Sequence, residues 1–392
     1  MKTTKKYEGY YCSIERVLQI IILGSICGLH DIKKILQWAN TPKIHEFLIE
    51  HFGIYTIPSY SWTMKLLNII DPVSLNDSFI KWVRSVLPET LKNIVVSFDG
   101  KAVRSTGKMK NSEQTLHIVS AHIASLGITM GQVPVSDKSN EIPAVRELIK
   151  LLNISGCIVV ADALNCQKKT CDEIIEAGAD YLLVVKKNQE TLMDSIVAHI
   201  FDEQIQSQNN LQSEVQAYTE TESEIFLSNS KMNQELQPKE GLDFDLSIEN
   251  NRGRIEFRRA FVSNDISNIL TSEEWRALAC VGAINRQVIR NDNLSNEWHL
   301  YISSRPLSAT ELLRYSRDEW SVETMHWLLD VHYKEDFCRI ESGNAQKNMN
   351  IFRKIALNII TEYKKEAKSK APISSIMLDC LIDSFKILEL LK

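Results

Sequence analysis

The sequence lacks an apolar run long enough to cross a bilayer. Its most hydrophobic stretch, VLQIIILGSICGL at 17–29, has 13 residues and contains Gln19, whereas a membrane-spanning helix needs about 20. No small-x-small cleavage site follows it, so the stretch is not typical of a secretory signal. We expect a buried helix here, no membrane association and a cytoplasmic location.

The sequence also has few cysteines in positions where they could act together. The eight cysteines are scattered, and only Cys166 and Cys171 lie close to each other. No second pair and no nearby histidine completes a zinc-binding pattern. The spacing favours reduced thiols of a cytosolic protein.

An excess of positive charge is absent, since the formal net charge is −5. The charge is uneven, however, because residues 202–249 hold eleven acids and only two lysines. That segment has a net charge of −9, which leaves +4 on the remainder of the chain. A modestly basic body can bind a phosphate backbone, although net charge alone does not demonstrate that it does.

Apolar periodicity separates helical from strand-rich regions. Residues 1–90 have helical spacing, and Asp31 and Ser74 are predicted N-caps. From 94 to 189 the pattern predicts strand, strand, strand, helix, strand, helix, strand. Two hairpin partners followed by alternating units describe an α/β fold, a mixed five-stranded sheet flanked by helices. This is the order of a ribonuclease-H-like core.

The region after the predicted core changes composition. Residues 206–250 are rich in Gln, Asn, Ser and Glu, which predicts an exposed or partly disordered insert. Strand patterns between 252 and 304 follow, and the chain is then helical to its end. The predicted domains are a helical domain at 1–90, the first part of the core at 91–205, an acidic and then β-rich insertion at 206–305, the second part of the core at 306–365, and a helical tail at 366–392.

Two apolar strand patterns end on an aspartate. NIVVSFDGKAVR reaches Asp99, and CIVVADAL reaches Asp162. An isolated Asp-Gly pair is more often a simple turn. The first and fourth strands are predicted parallel neighbours, however, and ligand sites form where such strands end side by side. Two aspartates at neighbouring strand ends therefore indicate a site.

A third carboxylate is predicted from the helical pattern RDEWSVETMHWLLDVHYKED. At 100° per residue one stripe of this helix holds Glu319, Glu323, Trp327 and Asp330. Asp330 has Lys334 at i+4, whereas neither glutamate has a cation there. On spacing alone, a metal ligand at Glu323 and a solvated surface residue are about equally supported.

Aspartate and glutamate without sulfur or histidine suit Mg²⁺ or Mn²⁺. Two such ions about 4 Å apart can activate a water or a 3′-hydroxyl and stabilise the leaving oxygen of a phosphodiester. Cations at the same edge could hold a DNA backbone. Those at or just after predicted strand ends are Lys101, Arg104, Lys186 and Lys187.

Seven segments in the right order resemble one family. They are SFDGKAVR, DKSNEIPAV, VVADALNCQKKTCDEIIEAGADYLLVVKKNQ, RGRIEFR, LYISS, RDEWSVETMHWLLDVHYKED and NAQKNMNIFRKIALNII. Together they resemble the H-repeat-associated, ISAs-type DDE transposases of bacterial insertion sequences, from about residue 15 to residue 362.

The resemblance implies a role for particular residues. Asp99, Asp162 and Glu323 match the family's catalytic, metal-binding carboxylates, in a ribonuclease-H-like domain interrupted before the glutamate helix. Glu319 stands where the family has histidine, and Asp330 stands where the wider superfamily has lysine. The predicted DNA contacts are Lys101, Arg104, Lys186, Lys187, Asn188, Arg317 and Trp320.

The resemblance also implies an activity. The enzyme would bind double-stranded DNA at the terminal inverted repeats, cleave there with two Mg²⁺ or Mn²⁺ ions, and join the 3′-hydroxyls to target DNA. We expect a homodimer in the DNA complex and association with the nucleoid when the enzyme acts. We also expect end binding by the N-terminal helices and no small-molecule substrate. Two alternatives stay open. A metal-dependent nuclease would cleave without joining, and a non-catalytic DNA-binding remnant of a decayed element would bind without Mg²⁺-dependent chemistry.

Overall fold

The computed structural model describes most of the chain, and the chain divides into two compact units. Unit 1 comprises Met1–Thr90, Val96–Asn153 and Trp320–Lys392, and unit 2 comprises Leu91–Val95 and Ile154–Glu319. The predicted catalytic core is therefore divided between the units. The described residues are 12–103, 115–135, 141–201, 242–251, 253–290, 293–338, 340 and 343–392.

Helices and strands both contribute, which confirms the α/β class. The helices are α1 Ile14–Ile26, α2 Ile32–Ala39, α3 Pro42–Phe52, α4 Tyr60–Ile69, α5 Pro72–Val86, α6 Glu141–Leu151, α7 Lys168–Glu176, α8 Glu190–Ile200, α9 Ala309–Glu319, α10 Ser321–Tyr333, α11 Asn344–Glu366, α12 Ile373–Ile382 and α13 Phe385–Leu390. The strands are β1 Val95–Val103, β2 Leu116–Ile123, β3 Ile128–Val135, β4 Ile158–Ala161, β5 Asp180–Val185, β6 Asp243–Asn251, β7 Arg254–Ser263, β8 Cys280–Arg290 and β9 Asn293–Ser303.

The N-terminal part of unit 1 is helical, as predicted. The apolar stretch at 17–29 forms most of α1, whose Val17, Ile20 and Ile21 are buried. Asp31 caps α2 by accepting a hydrogen bond from the Lys33 backbone N–H at 2.7 Å. Within the described residues, no helix is both long and apolar enough to cross a membrane.

The predicted cap at Ser74 is wrong. The N-cap of α5 is Asp71, whose Oδ2 accepts hydrogen bonds from the backbone N–H of Ser74 at 3.1 Å and from its hydroxyl at 2.8 Å. The helix begins earlier because Pro72 occupies its first turn, where a missing N–H costs nothing.

Unit 1 contains an antiparallel arrangement in the order β3–β2–β1. Gly127, with φ +68°, makes the tight turn between β2 and β3. The prediction that the first strand ends at Asp99 is wrong, because residues 100–103 continue to pair with β2. Asp99 thus lies in the middle of β1, opposite Ser120.

The long helix α11 holds unit 1 together through buried amides. The Asn348 amide donates to the carbonyl oxygens of Leu67 at 2.8 Å and Ile70 at 3.0 Å. Asn358 exchanges two hydrogen bonds of 2.9 Å with the backbone of Thr129. The polar residues of NAQKNMNIFRKIALNII therefore connect the N-terminal helices and β3 to one helix.

Unit 2 contains the order β4–β5–β9–β8–β7–β6. Strands β4 and β5 are parallel, and every later pair is antiparallel. The order of elements predicted for 94–189 is confirmed. The β-rich strands, however, extend the sheet through the β5–β9 pair. The ribonuclease-H-like assignment stays a prediction.

Part of the insert that was predicted to be exposed or partly disordered forms a strand, whose described residues are exposed or half-buried. Residues 243–250 lie in β6, which pairs antiparallel with β7 along its whole length. Phe244, Leu246 and Ile248 alternate with polar residues there, a period typical of a strand. Most of the predicted insert, including residues 206–241, lies outside the described residues.

Candidate active site

Alternate residues of β1 face helix α10. Ser97, Asp99 and Lys101 share one face of the strand, because successive side chains of a strand point to opposite sides. Each contacts a residue of α10, and we call the three pairs the polar ladder. They are Ser97 Oγ to Ser321 Oγ at 3.4 Å, Asp99 Oδ2 to His326 Nδ1 at 3.3 Å, and Lys101 Nζ to Asp330 Oδ1 at 2.5 Å.

The middle pair of the polar ladder leaves part of Asp99 accessible. The Asp99 side chain is 31% exposed, whereas that of His326 is 11% exposed. Among the described residues, only His326 forms an ion pair or hydrogen bond with the Asp99 carboxylate. Within that part of the chain, Asp99 Oδ1 has no ion-pair or hydrogen-bond partner.

Lys101 lies between two carboxylates. Its ammonium donates to Asp330 Oδ1 and, at 3.0 Å, to Oε2 of Glu335, and its side chain is 12% exposed. Burial lowers the pKa of Lys101, but Glu335 and Asp330 raise it by a larger amount. The pKa of Lys101 therefore lies above its usual value. The predicted contact of Lys101 with DNA phosphate stays a prediction. Its ammonium has three partners within unit 1, the third being the His326 carbonyl oxygen at 3.5 Å.

Glu335 is the most buried acid of this group. Its side chain is 1% exposed, and its Oε1 accepts a hydrogen bond of 2.5 Å from the Asn350 amide. Burial raises the pKa of Glu335, but Lys101 and Arg353 outweigh that effect and lower it below its usual value. The carboxylate is therefore charged at neutral pH.

The cation paired with Asp330 differs from the predicted one. The sequence pattern paired Asp330 with Lys334, but the structure pairs it with Lys101. Lys334 ends α10 in the left-handed conformation, with φ 49°. A helical i+4 pair requires both residues inside the helix, and Lys334 lies just beyond its end.

Glu323 lies exposed in the first turn of α10. The predicted stripe with Glu319 is wrong, because α9 ends at Glu319 and α10 begins at Ser321. No proline or glycine marks this break, and Trp320 keeps dihedrals near the helical region, at φ −77° and ψ −6°. Periodicity alone therefore could not detect it.

Asp162 directly follows β4, as predicted. It is exposed, and its Oδ1 accepts a hydrogen bond of 2.9 Å from the Asn165 amide. Two residues that follow β5 hold the backbone after Asp162. Asn188 donates to the Ala163 carbonyl at 2.7 Å, and Gln189 donates to the Cys166 carbonyl at 3.0 Å.

The other predicted DNA contacts have mixed surroundings. Lys186 and Lys187 are exposed, and the Trp320 side chain is 47% exposed. Arg317 forms an ion pair with Glu249 in β6 and donates to Ser247 at 3.3 Å. Arg104 lies outside the described residues. Contacts of these residues with DNA stay predictions.

The three predicted metal ligands are divided between the units. Asp99 and Glu323 belong to unit 1 and Asp162 belongs to unit 2, so their convergence stays a prediction. Within the described residues, no three His, Cys, Asp or Glu side chains stand close enough to hold a metal ion. The donors fit Mg²⁺ chemically, because they are accessible carboxylates and Mg²⁺ keeps several waters.

Sequence analysis missed two residues of this site. His326 and Glu335 were not singled out, although both lie within the segment that resembles the transposase family. A usable signal was the alternation of Ser97, Asp99 and Lys101, since a polar face on a buried strand requires polar partners. Their identity depends on which element covers that face.

Comparison with known proteins shows to which family the chain belongs. A family model described as "Transposase DDE domain" matches residues 90–359. The chain is 29% identical over 363 residues to "H repeat-associated putative transposase YhhI" of Escherichia coli (strain K12), which covers 90% of this chain and 86% of that protein. It is 30% identical over 359 residues to "Putative transposase YncI" of Escherichia coli O157:H7, covering 89% and 82% of the two chains.

Among solved structures, a piggyBac transposase in a synaptic complex with hairpin DNA aligns with 99% of this chain and 76% of that chain. The TM-score of 0.43 and the identity of 9% are too low to support an argument. The family model and the related sequences are sufficient to show the family. The chain therefore belongs to the DDE transposase family, within which the predicted resemblance to the H-repeat-associated transposases is confirmed.

Proposed function

We propose that this transposase cleaves DNA at the ends of its element and joins the freed 3′-hydroxyls to target DNA. Asp99, Asp162 and Glu323 are the metal-binding carboxylates in this proposal, within a ribonuclease-H-like core. The observation that carries it is the polar ladder, which docks the helix bearing Glu323 along the strand bearing Asp99.

Hydrogen bonds within unit 2 support the inclusion of Asp162. The Asn93 backbone N–H donates to the Gly156 carbonyl, and the Ile158 N–H donates to the Ile94 carbonyl, both at 2.9 Å. These two hydrogen bonds connect the residues just before β1 to the residues at the start of β4. The proposed site requires this connection to continue as far as Asp99, five residues after Ile94, and Asp162, four residues after Ile158.

Each residue has a defined role in the proposed chemistry. Asp99, Asp162 and Glu323 would hold Mg²⁺ or Mn²⁺, which supplies Lewis acidity to the nucleophile and to the leaving oxygen of the phosphodiester. Asp99 offers Oδ1, since Oδ2 is engaged with His326. Asn188 and Gln189 fix the backbone that follows Asp162 and so limit where its carboxylate can lie.

Double-stranded DNA is the proposed substrate. Lys186 and Lys187 are exposed just beyond β5 and would contact phosphates, which position DNA without reading its sequence. The N-terminal helices are the proposed module for binding the terminal inverted repeats. A homodimer would bring two element ends together.

Strand transfer by the purified chain tests this function. A pre-cut duplex with the repeat that flanks the reading frame would be incubated with plasmid and Mn²⁺. The variants are Asp99→Asn, Asp162→Asn and Glu323→Gln, and Asp194→Asn is the matched control, an exposed acid of α8. We expect joined products from the wild type and the control only.

Other results identify the alternatives. Cleavage of an uncut end without joined products would indicate a nuclease. Binding of end DNA without any Mn²⁺-dependent product would indicate a non-catalytic remnant. Joining by any of the three carboxylate variants at the wild-type rate would remove that residue from the proposed site.

A further inference from the structure

We propose that His326 is a positioning residue that orients the Asp99 carboxylate for a divalent cation. In this proposal the imidazole Nδ1–H donates to Oδ2 and leaves Oδ1 to bind the cation. This inference rests on the proposed function, since it assigns a partner to the proposed metal ligand Asp99. Neither the family comparison nor the sequence analysis assigned His326 a role.

Nδ1 is the ring nitrogen of His326 that forms the ion-pair contact with Asp99. Nδ1 lies 3.3 Å from Asp99 Oδ2. The other ring nitrogen, Nε2, is buried and has no hydrogen-bond partner among the described residues. Because a carboxylate only accepts hydrogen bonds, the proton that joins the pair belongs on Nδ1. A carboxylate with one oxygen engaged in this way has fewer orientations open to it, and such outer partners strengthen metal binding.

Two features fix the backbone of α10 around His326. Its neighbours Met325 and Leu329 on α10 are buried, so the helix cannot rotate freely. Lys101, two residues after Asp99 on the same face of β1, also approaches the His326 carbonyl oxygen at 3.5 Å. The side chain of His326 and its backbone are therefore both tied to β1.

A purely structural role and a positioning role for His326 predict different effects of its replacement. A ring that only fills space would be replaced best by a side chain of similar volume. A ring that donates through Nδ1 is replaced best by asparagine, whose amide nitrogen occupies nearly the position of Nδ1. Glutamine places its amide near Nε2 instead, and leucine provides no donor.

The test measures Mn²⁺ binding to the full chain in the absence of DNA. Binding is monitored through the electron paramagnetic resonance signal of free Mn²⁺. The variants are His326→Asn, His326→Gln and His326→Leu. The matched control is His332→Asn, on the same helix, whose ring contacts Trp327. Thermal unfolding of each variant is recorded alongside.

We expect His326→Leu and His326→Gln to weaken Mn²⁺ binding about 10- to 100-fold, the usual cost of removing such a partner. His326→Asn should restore most of the affinity, and His332→Asn should match the wild type. Equal affinities for all variants would overturn the proposal. So would equal weakening in the asparagine, glutamine and leucine variants.

The same measurement separates this inference from the proposed function. If the wild type joins DNA ends and the His326 variants bind Mn²⁺ normally, only the positioning role is lost. If the wild type binds no Mn²⁺, both the positioning role and the metal-dependent chemistry are overturned. If His326→Leu does not fold, the comparison of His326→Asn with His326→Gln decides the matter.

Discussion

Lys101 and Glu335 form a buried ion pair across the candidate site, with Nζ 3.0 Å from Oε2. Their side chains are 12% and 1% exposed. The lysine lies two residues after Asp99, and the glutamate lies two residues after the end of α10. The pair therefore links the strand of the proposed aspartate to the helix of the proposed glutamate. A lysine that resembles a DNA contact in the sequence has structural partners here.

Replacement of Lys101 should destabilise unit 1. Lys101→Met would leave the buried Glu335 carboxylate with Arg353, at 3.8 Å, and the electrostatic attraction of Lys354. Removal of one member of a buried pair costs about 3–5 kcal/mol, and we expect the lower end because Arg353 remains. Urea denaturation measures the loss. Lys186→Met, at an exposed lysine, should change the free energy of unfolding by less than about 0.5 kcal/mol.

A second substitution should recover part of that loss. Glu335→Gln in the Lys101→Met background removes the uncompensated charge, so the double variant should be more stable than Lys101→Met alone. Additive losses in this cycle would show that the pair has no coupling energy.

Lys354 should make the stability of the protein depend on pH. Burial lowers its pKa to about 7, whereas an unfolded lysine titrates near about 10.4. Between these values the unfolded chain binds one more proton than the folded chain, so the free energy of unfolding rises with pH. The expected slope is on the order of 1 kcal/mol per pH unit.

Lys354→Met provides the comparison. The difference in unfolding free energy between wild type and variant should shift in favour of the wild type from pH 7 to pH 10. It should be constant below pH 7, where lysine is protonated in both states. Lys365→Met, at an exposed lysine of α11, is the control. A difference that stays flat above pH 7 would contradict the lowered pKa.

Gly100 permits a close approach of Glu141. A Cβ atom at this position would lie 2.6 Å from the Glu141 carboxylate, and Glu141 is 8% exposed. We expect Gly100→Ala to cost about 1–3 kcal/mol through overpacking. Glu141→Ala should relieve the clash, so the double variant should lose less than the sum of the single variants. Unfolding of Gly100→Ala at the wild-type denaturant midpoint would rule the close approach out.

Replacement of Asn188 tests whether this residue supports the backbone that follows Asp162 or contacts DNA. Because its amide donates to the Ala163 carbonyl, Asn188→Ala should cost about 1 kcal/mol of stability. It should lower the rate of strand transfer without weakening the binding of end DNA. Gel-shift titration across salt concentrations checks this expectation. A weaker affinity with unchanged stability would instead favour a DNA contact. Lys187→Ala, at the preceding residue, should weaken the binding of end DNA without changing stability.

The sequence by itself determined the local elements. Helix α1 follows from its apolar periodicity, and Asp31 caps α2 because its short side chain reaches a free backbone N–H. Asp162 was predicted to follow β4 because the apolar residues of that strand stop directly before it. These features depend on residues close together in the chain, so periodicity and capping rules suffice to find them.

Tertiary structure decided the rest. Asp99 lies within β1 because β2 pairs with the residues after it, and the break at Trp320 has no local marker. Lys101 and Asp330 are 229 positions apart in the chain, so no spacing rule could pair them. Partners across that distance are selected by which helix covers which strand face, and that choice depends on packing of the whole unit.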